Sequence, residues 1–162
     1  VEPSCVTAVQ QEWVELKISL DGDAMGKMAS MTSTLEVFLA DHWSAHPRRL
    51  SITHAMTPIL IHQHCHQKPH GQKLVTLLEH LGAEDVTLLD SGCCGMDGSF
   101  GYQRDQYDLS CKNAELSLGD AMRDLGNATL LAPGTSCRHQ VRDVFGVAAA
   151  HPVKWLADHL VR

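Results

Sequence analysis

The sequence predicts a doubly wound α/β domain, in which a mostly parallel sheet of about four strands carries helices on both faces. Two observations favour this class: short aliphatic runs of strand length, and helical patterns that alternate with them along the chain. Alternation of this kind implies crossover connections between parallel strands. The chain has 162 residues, enough to bury one hydrophobic core.

The predicted strands are brief aliphatic runs closed by turn-forming or polar residues, at 59–62, 86–90, 129–132 and 147–150. The predicted helices show apolar residues at helical spacing, at 6–16, 35–43, 73–81, 105–125, 138–145 and 152–160. Residues 25–33 are rich in Met, Ser and Thr, which favours a loop or a short helix there.

Composition excludes several classes of function. The formal net charge of −6 argues against nucleic acid as a partner, because binding by counterion release needs a basic surface. No apolar run approaches the roughly 20 residues that span a bilayer. We therefore expect a soluble, cytoplasmic protein. Separately, the abrupt start at Val1 suggests that this sequence is a piece cut from a longer chain.

The six cysteines are unevenly clustered, in a chain too large and too rich in core residues for a typical disulfide scaffold. In a reducing compartment such clusters indicate metal binding or redox chemistry, and buried free thiols are the alternative. The second interpretation is the one we adopt for Cys111, which lies inside a predicted helix.

Four cysteines follow three of the predicted strands directly. Cys65 follows the first strand, Cys93 and Cys94 the second, and Cys137 the third. In open α/β sheets, ligands bind outside the carboxyl ends of the strands, where these loops converge. The sequence therefore predicts that the four thiols meet at one edge of the sheet.

Local sequence supports this convergence without settling it. Cys93 and Cys94 can serve one centre only if the chain turns there, and the glycines beside them, including Gly95, allow such a turn, although packing alone also explains paired thiols. Cys137 is expected near a helix N-terminus, which favours thiolate, with Ser136 as the N-cap. His66 and His139 lie near candidate cysteines and are expected to make outer contacts with the centre.

The other histidines of this segment give a weaker signal. In an extended chain, His62, His64 and His66 share one face and Cys65 lies on the opposite one, which favours hydrogen bonding over metal ligation unless the chain bends.

Two further functions, nucleotide binding and thiol-dependent hydrolysis, are disfavoured by the sequence. The glycines of 92–101 do not follow a nucleotide-binding pattern, and several clustered thiols do not resemble the single activated cysteine of a thiol hydrolase.

Four motifs together carry a family resemblance: HCHQ (64–67), SGCCGM (91–96), GSFGY (98–102) and SCRHQ (136–140). They resemble the CCG cysteine-rich domain, which occurs in the B subunit of heterodisulfide reductase, the C subunit of anaerobic glycerol-3-phosphate dehydrogenase and the iron–sulfur subunits of glycolate oxidase. The similarity is greatest to the C-terminal part of large FAD-linked oxidases of the D-lactate or D-2-hydroxyglutarate dehydrogenase type.

The resemblance implies tandem copies of one metal-binding unit. Residues 1–50 would end a preceding copy and add connecting helices, residues 51–162 would form the CCG domain, and Cys5 would belong to a separate site. The usual terminal CxxC is reduced here to one thiol, Cys137. Four thiolates remain, the number that a [4Fe–4S] cluster or tetrahedral zinc takes.

The function implied by the resemblance is electron relay. A flavin (FAD) elsewhere in the parent protein would oxidise a 2-hydroxy acid, and this domain would pass the electrons to a downstream acceptor. Flavin and ferredoxin-like modules of the same enzyme are the expected partners, and these could bring the protein to the inner face of the membrane. The alternative is a zinc-binding structural or docking module without a redox role, and the fragment alone is not expected to turn over substrate.

Overall fold

The computed structural model describes residues 2–16, 22–48, 50–53 and 57–161. The first part of the chain is helical: α1 (Pro3–Thr7), a π-helical segment (Ala8–Glu12), α2 (Trp13–Glu15), α3 (Gly22–Met31) and α4 (Leu35–His42). The strands are β1 (Ser51–Ile52), β2 (Ile59–Ile61), β3 (Val86–Leu88), β4 (Thr129–Leu131) and β5 (Leu160–Val161). The helices between the strands are α5 (Gly71–His80), α6 (Tyr107–Arg123), α7 (Thr135–Phe145) and α8 (Pro152–His159).

The main sheet contains three parallel strands in the order β3-β2-β4. The central strand β2 pairs in register with both neighbours, so that Ile61 lies opposite Leu88 on one side and Leu131 on the other. The predicted α/β class with a parallel sheet is confirmed. All three strands consequently end at the same level.

Alternating side chains of the strands face two different hydrophobic cores, as expected for a sheet covered on both sides. Ile59 and Ile61 of β2 pack with α5 and α8 residues in one core, where Leu77 and Leu78 of α5 are fully buried. Leu60 faces the other core, which α6 and α7 residues complete. The helices therefore cover both faces of the sheet.

The fourth predicted strand, at 147–150, is reduced to a single residue pair. Ala150 forms a parallel bridge with Leu131, donating its N–H to the Leu130 carbonyl and accepting from the Ala132 N–H, both at 2.9 Å. The pairing stops there because His151 is the N-cap of α8 and Pro152 has no N–H to continue the ladder. The sheet has three strands and this one-residue extension.

One feature of the fold was not expected from the sequence. Strands β1 and β5 form a small antiparallel pair that the sequence patterns did not indicate, because each strand is only two residues long. Of the loop or short helix expected at residues 25–33, the structure has the helix: most of these residues lie in the ten-residue helix α3. Across the described ranges, no helix combines the length and the apolar character needed to cross a bilayer.

Candidate metal centre

The four predicted thiols line one cavity of about 470 Å³, into which the loops after β2, β3 and β4 all project. All six cysteines of the chain are free thiols. The cavity is lined by Glu2, Ser4, His64, Cys65, His66, Cys93, Cys94, Asp97, Gly98, Tyr102, Thr135, Ser136, Cys137 and His139.

The four thiols reach the cavity from three local structures. Cys65 begins a 3-10 helix (Cys65–His70) after β2, Cys93 and Cys94 lie in the turn after β3, and Cys137 is the third residue of α7. Cys94 and Cys137 are buried, Cys93 is half-buried and Cys65 is exposed. The site thus has a dry inner side and an outer side open to solvent.

The turn that presents Cys93 and Cys94 depends on Gly95, whose φ of 88° is one that residues with a side chain rarely adopt. A Cβ at this position would collide with the Ser110 carbonyl oxygen of α6. The turn is tied to α6 because the Ser110 hydroxyl donates to the Gly95 carbonyl at 2.8 Å. Buried Gln140 of α7 in turn donates to the Ser110 hydroxyl at 2.8 Å, so two helices hold the turn in place.

The N-terminus of α7 is capped by a residue distant in sequence. The predicted N-cap, Ser136, is wrong: the N-cap is Gly134, which has no side chain to cap the helix. The Thr135 N–H instead donates to the Glu2 carboxylate at 2.9 Å. A side chain at 134 would collide with the His64 ring and come within 3.0 Å of the Cys137 sulfur, which explains why glycine precedes the helix here.

The buried sulfurs of Cys94 and Cys137 shift each other's pKa in opposite directions. A hydrogen bond from the Cys137 thiol lowers the pKa of Cys94 far below its ordinary value, and burial, which opposes this, is outweighed. The same hydrogen bond, reinforced by burial, raises the pKa of Cys137. Thiolate is the form that binds metal, and the lowered pKa favours that form at Cys94.

The outer thiols and the histidine beside them differ in their surroundings. Burial raises the pKa of the Cys93 thiol, while the Gly95 N–H that donates to its sulfur at 3.4 Å opposes the rise. Burial lowers the pKa of His64, which favours its neutral ring despite the Glu2 carboxylate 4.0 Å away. His64 Nδ1 lies 3.8 Å from the Cys65 sulfur.

One buried histidine, His62, lies beside the two buried thiols. The ligand atoms of His62, Cys94 and Cys137 all lie within 4.8 Å of one another, a spacing that a metal ion could bridge. His62 is 1% exposed, and its Nε2 is the only buried side-chain nitrogen or oxygen without a hydrogen-bond partner in the described part of the chain. The donor set of this cavity, thiols with an imidazole nitrogen, fits zinc and, through its four thiols, an iron–sulfur cluster.

The remaining predicted residues fall in several places. His66 and His139 line the cavity, and His139 Nδ1 lies 2.6 Å from the Tyr102 hydroxyl. Cys5 is exposed and lies outside the described lining of the cavity. Cys111 is half-buried on α6, away from the residues that line the cavity.

Comparison with known proteins gives partial matches. The chain is 42% identical over 67 residues to D-2-hydroxyglutarate dehydrogenase of Escherichia coli K12, which covers 41% of this chain and 7% of that protein. It is 34% identical over 70 residues to the Pantoea ananatis protein of the same name, covering 43% of this chain and again 7% of the relative. The C subunit of the anaerobic glycerol-3-phosphate dehydrogenase of Escherichia coli K12 matches at 27% over 104 residues, 63% of this chain and 26% of that relative.

The predicted resemblance is confirmed. Two of the kinds of protein that the motifs resemble are homologues of this chain. The chain spans about a quarter of the length of the glycerol-3-phosphate dehydrogenase relative and less than a tenth of the length of D-2-hydroxyglutarate dehydrogenase. No family model and no solved structure matches it.

Sequence reasoning considered two of the histidines near this site and missed one other residue. His62 lies directly after β2, and the alternating histidines were expected to favour hydrogen bonds over metal ligation unless the chain bends. The chain does bend, because a 3-10 helix begins at Cys65, and His64 lines the cavity. Glu2 is 133 residues away from the helix end that it caps, and no local pattern could indicate that contact.

We predict that Gly95→Ala destabilises the chain more than Gly98→Ala. Both glycines have positive φ, but only the first would place a Cβ against the backbone of α6, while the second has nothing within 4 Å. The clash should add about 1–3 kcal/mol to the conformational cost that both variants share. Urea unfolding of the two variants measures the difference, and equal losses would contradict the packing assigned to this turn.

Proposed function

We propose that this chain is the cysteine-rich, metal-binding domain of a FAD-linked oxidoreductase, with Cys65, Cys93, Cys94 and Cys137 as ligands of one centre. The observation that carries the proposal is the meeting of four thiols from three separate loops in one cavity. Thiols dispersed along a chain for packing alone have no reason to converge at one edge of a sheet.

The finer proposal is a [4Fe–4S] cluster. Four thiolates are the number such a cluster takes, and soft thiolate ligands select iron–sulfur clusters, copper(I) or zinc over hard cations. When bound, the cluster supplies one-electron redox chemistry. The protein's contribution is to hold the sulfurs, to keep water from the side of Cys94 and Cys137, and to leave the side of Cys65 open to a partner.

The homologues support a role beside a dehydrogenase. One relative is named for 2-hydroxyglutarate oxidation and the other is part of a glycerol-3-phosphate dehydrogenase. We propose that a flavin elsewhere in the parent protein oxidises a 2-hydroxy acid, and that this domain, in the cytoplasm, relays electrons from it to a downstream acceptor. Flavin-containing and ferredoxin-like modules of the same enzyme are the proposed partners.

The domain organisation remains part of the proposal. Residues 1–50 would end a preceding copy of the unit, with residues 51–162 forming the CCG domain. The exposed position of Cys5, outside the described cavity lining, is compatible with a ligand of a separate site. Glu2, by contrast, would link the two copies through its contact with α7.

A second candidate function is a zinc-binding structural or docking module. The buried group of His62, Cys94 and Cys137 favours it, because two thiolates with an imidazole form a donor set found in zinc sites. In this case the metal would only hold the three loops together.

Anaerobic loading distinguishes the two functions. The metal-free chain would be incubated with iron and sulfide, and in parallel with zinc, and the bound metal counted per chain alongside the visible spectrum. The proposed cluster gives a brown protein with about four iron atoms per chain. A colourless chain that takes zinc and rejects iron would favour the structural module, and a chain that binds neither would contradict both.

We predict that Cys94→Ser removes or severely weakens the metal centre, whereas Cys111→Ser leaves the metal content unchanged. A serine hydroxyl is a poor substitute for soft thiolate, and Cys94 is buried beside Cys137. Cys111 is the matched control, since it lies on α6 outside the described cavity lining. Metal counts on both variants after anaerobic loading test the assignment, and equal loss, or no loss in either, would overturn it.

A further inference from the structure

His62 combines deep burial with one unused polar atom. Its ring is 1% exposed, and its Nδ1 lies 2.8 Å from the Ser91 hydroxyl. Its Nε2 has no hydrogen-bond partner in the described part of the chain. Buried polar atoms are nearly always paired, so this nitrogen is expected to find a partner among the groups beside it.

The His62 ring lies beside the two inner sulfurs. A ring nitrogen of His62 and the sulfurs of Cys94 and Cys137 all lie within 4.8 Å of one another. Cys94 follows Ser91 in the same turn, so the loop after β3 supplies both the group that contacts Nδ1 and one of these sulfurs. The ring therefore bridges the loop that orients it and the proposed metal centre.

We propose that His62 is a positioning residue that donates an Nε2–H hydrogen bond to the metal-bound sulfur of Cys94. This inference rests on the proposed metal centre. In this arrangement the Ser91 hydroxyl, 2.8 Å from Nδ1, would donate to that nitrogen and leave the ring proton on Nε2. A metal-bound thiolate keeps lone pairs that accept such a bond, so the Cys94 sulfur can serve as the acceptor and as a ligand at the same time.

Two observations favour donation over direct ligation. Four thiols already line the cavity and fill a four-coordinate centre, which leaves no position for a fifth donor. Ligating histidines usually direct their second nitrogen at a carboxylate, a carbonyl or water, whereas the partner here is a serine hydroxyl that can itself donate.

The proposed hydrogen bond would affect the reduction potential and the metal affinity of the centre. Hydrogen bonds to cluster sulfurs are among the factors that set reduction potential, because they withdraw electron density from the thiolate. Loss of the His62 donor should therefore make the potential of an iron–sulfur centre more negative. Groups that orient and polarise ligands also contribute to metal affinity, typically 10–100-fold.

Cobalt(II) titration of the chain tests the inference without depending on enzyme activity. Thiolate-to-cobalt charge transfer gives a near-ultraviolet band that reports on the sulfur donors. We expect His62→Leu to bind one cobalt with affinity reduced about 10-fold or more and with the band moved to longer wavelength. His62→Gln, whose amide can still donate, should recover part of both effects.

Two further variants complete the design. His80→Leu removes an exposed histidine at the end of α5 and should behave as wild type. Ser91→Ala leaves the ring in place but removes the hydroxyl that contacts Nδ1. We therefore expect a smaller loss of cobalt affinity and a smaller shift of the band to longer wavelength. This variant keeps the test decisive if His62→Leu fails to fold by circular dichroism.

The outcomes separate the inference from the proposed function. Wild-type chain that binds no cobalt would overturn both. Wild-type binding with unchanged affinity and spectrum in His62→Leu and Ser91→Ala would overturn the role of His62 alone. Equal loss of bound cobalt in His62→Leu and His62→Gln would identify His62 as a ligand, which contradicts donation and favours a zinc-type site.

Discussion

The candidate site depends on the parallel register of three short strands. Ile61 lies level with Leu88 and with Leu131, and the last hydrogen bonds of the sheet run from Leu89 to Ile61 and from His62 to Leu131, each at 2.9 Å. All three chains therefore leave the sheet at one height. Loops that start together can deliver their thiols to one cavity, whereas a shift in register would separate them.

The helices on one face anchor the turn that carries two of the cysteines. Gln140 of α7 donates to the Ser110 hydroxyl of α6, which donates to the Gly95 carbonyl, so the two helices and the turn form one buried network. Satisfied buried networks of this kind specify a unique arrangement. The inner sulfurs are consequently kept in a dry setting, where the pKa of Cys94 is lowered and that of Cys137 is raised.

Sequence reasoning reached the parts of this arrangement that have local signals. Aliphatic runs predicted the three strands, and the thiols that follow them predicted the shared edge, because strand ends in a parallel sheet coincide. It failed where contacts are distant or where the geometry is subtle. The contact of Glu2 with α7 joins residues 133 positions apart, and the capping role of Ser136 was wrong because the chain enters the helix at Gly134. The strand at 147–150 was overestimated because Pro152 ends the ladder almost as soon as it forms.

The central claim is that thiols from three loops bind one metal centre, and X-ray absorption at the metal edge measures this most directly. Chain loaded anaerobically with iron and sulfide, or with zinc, would be compared. The account predicts a first shell of about four sulfur atoms around each metal, near 2.3 Å for zinc, with a metal–metal distance in the iron sample alone. A first shell composed mainly of nitrogen and oxygen would contradict the claim.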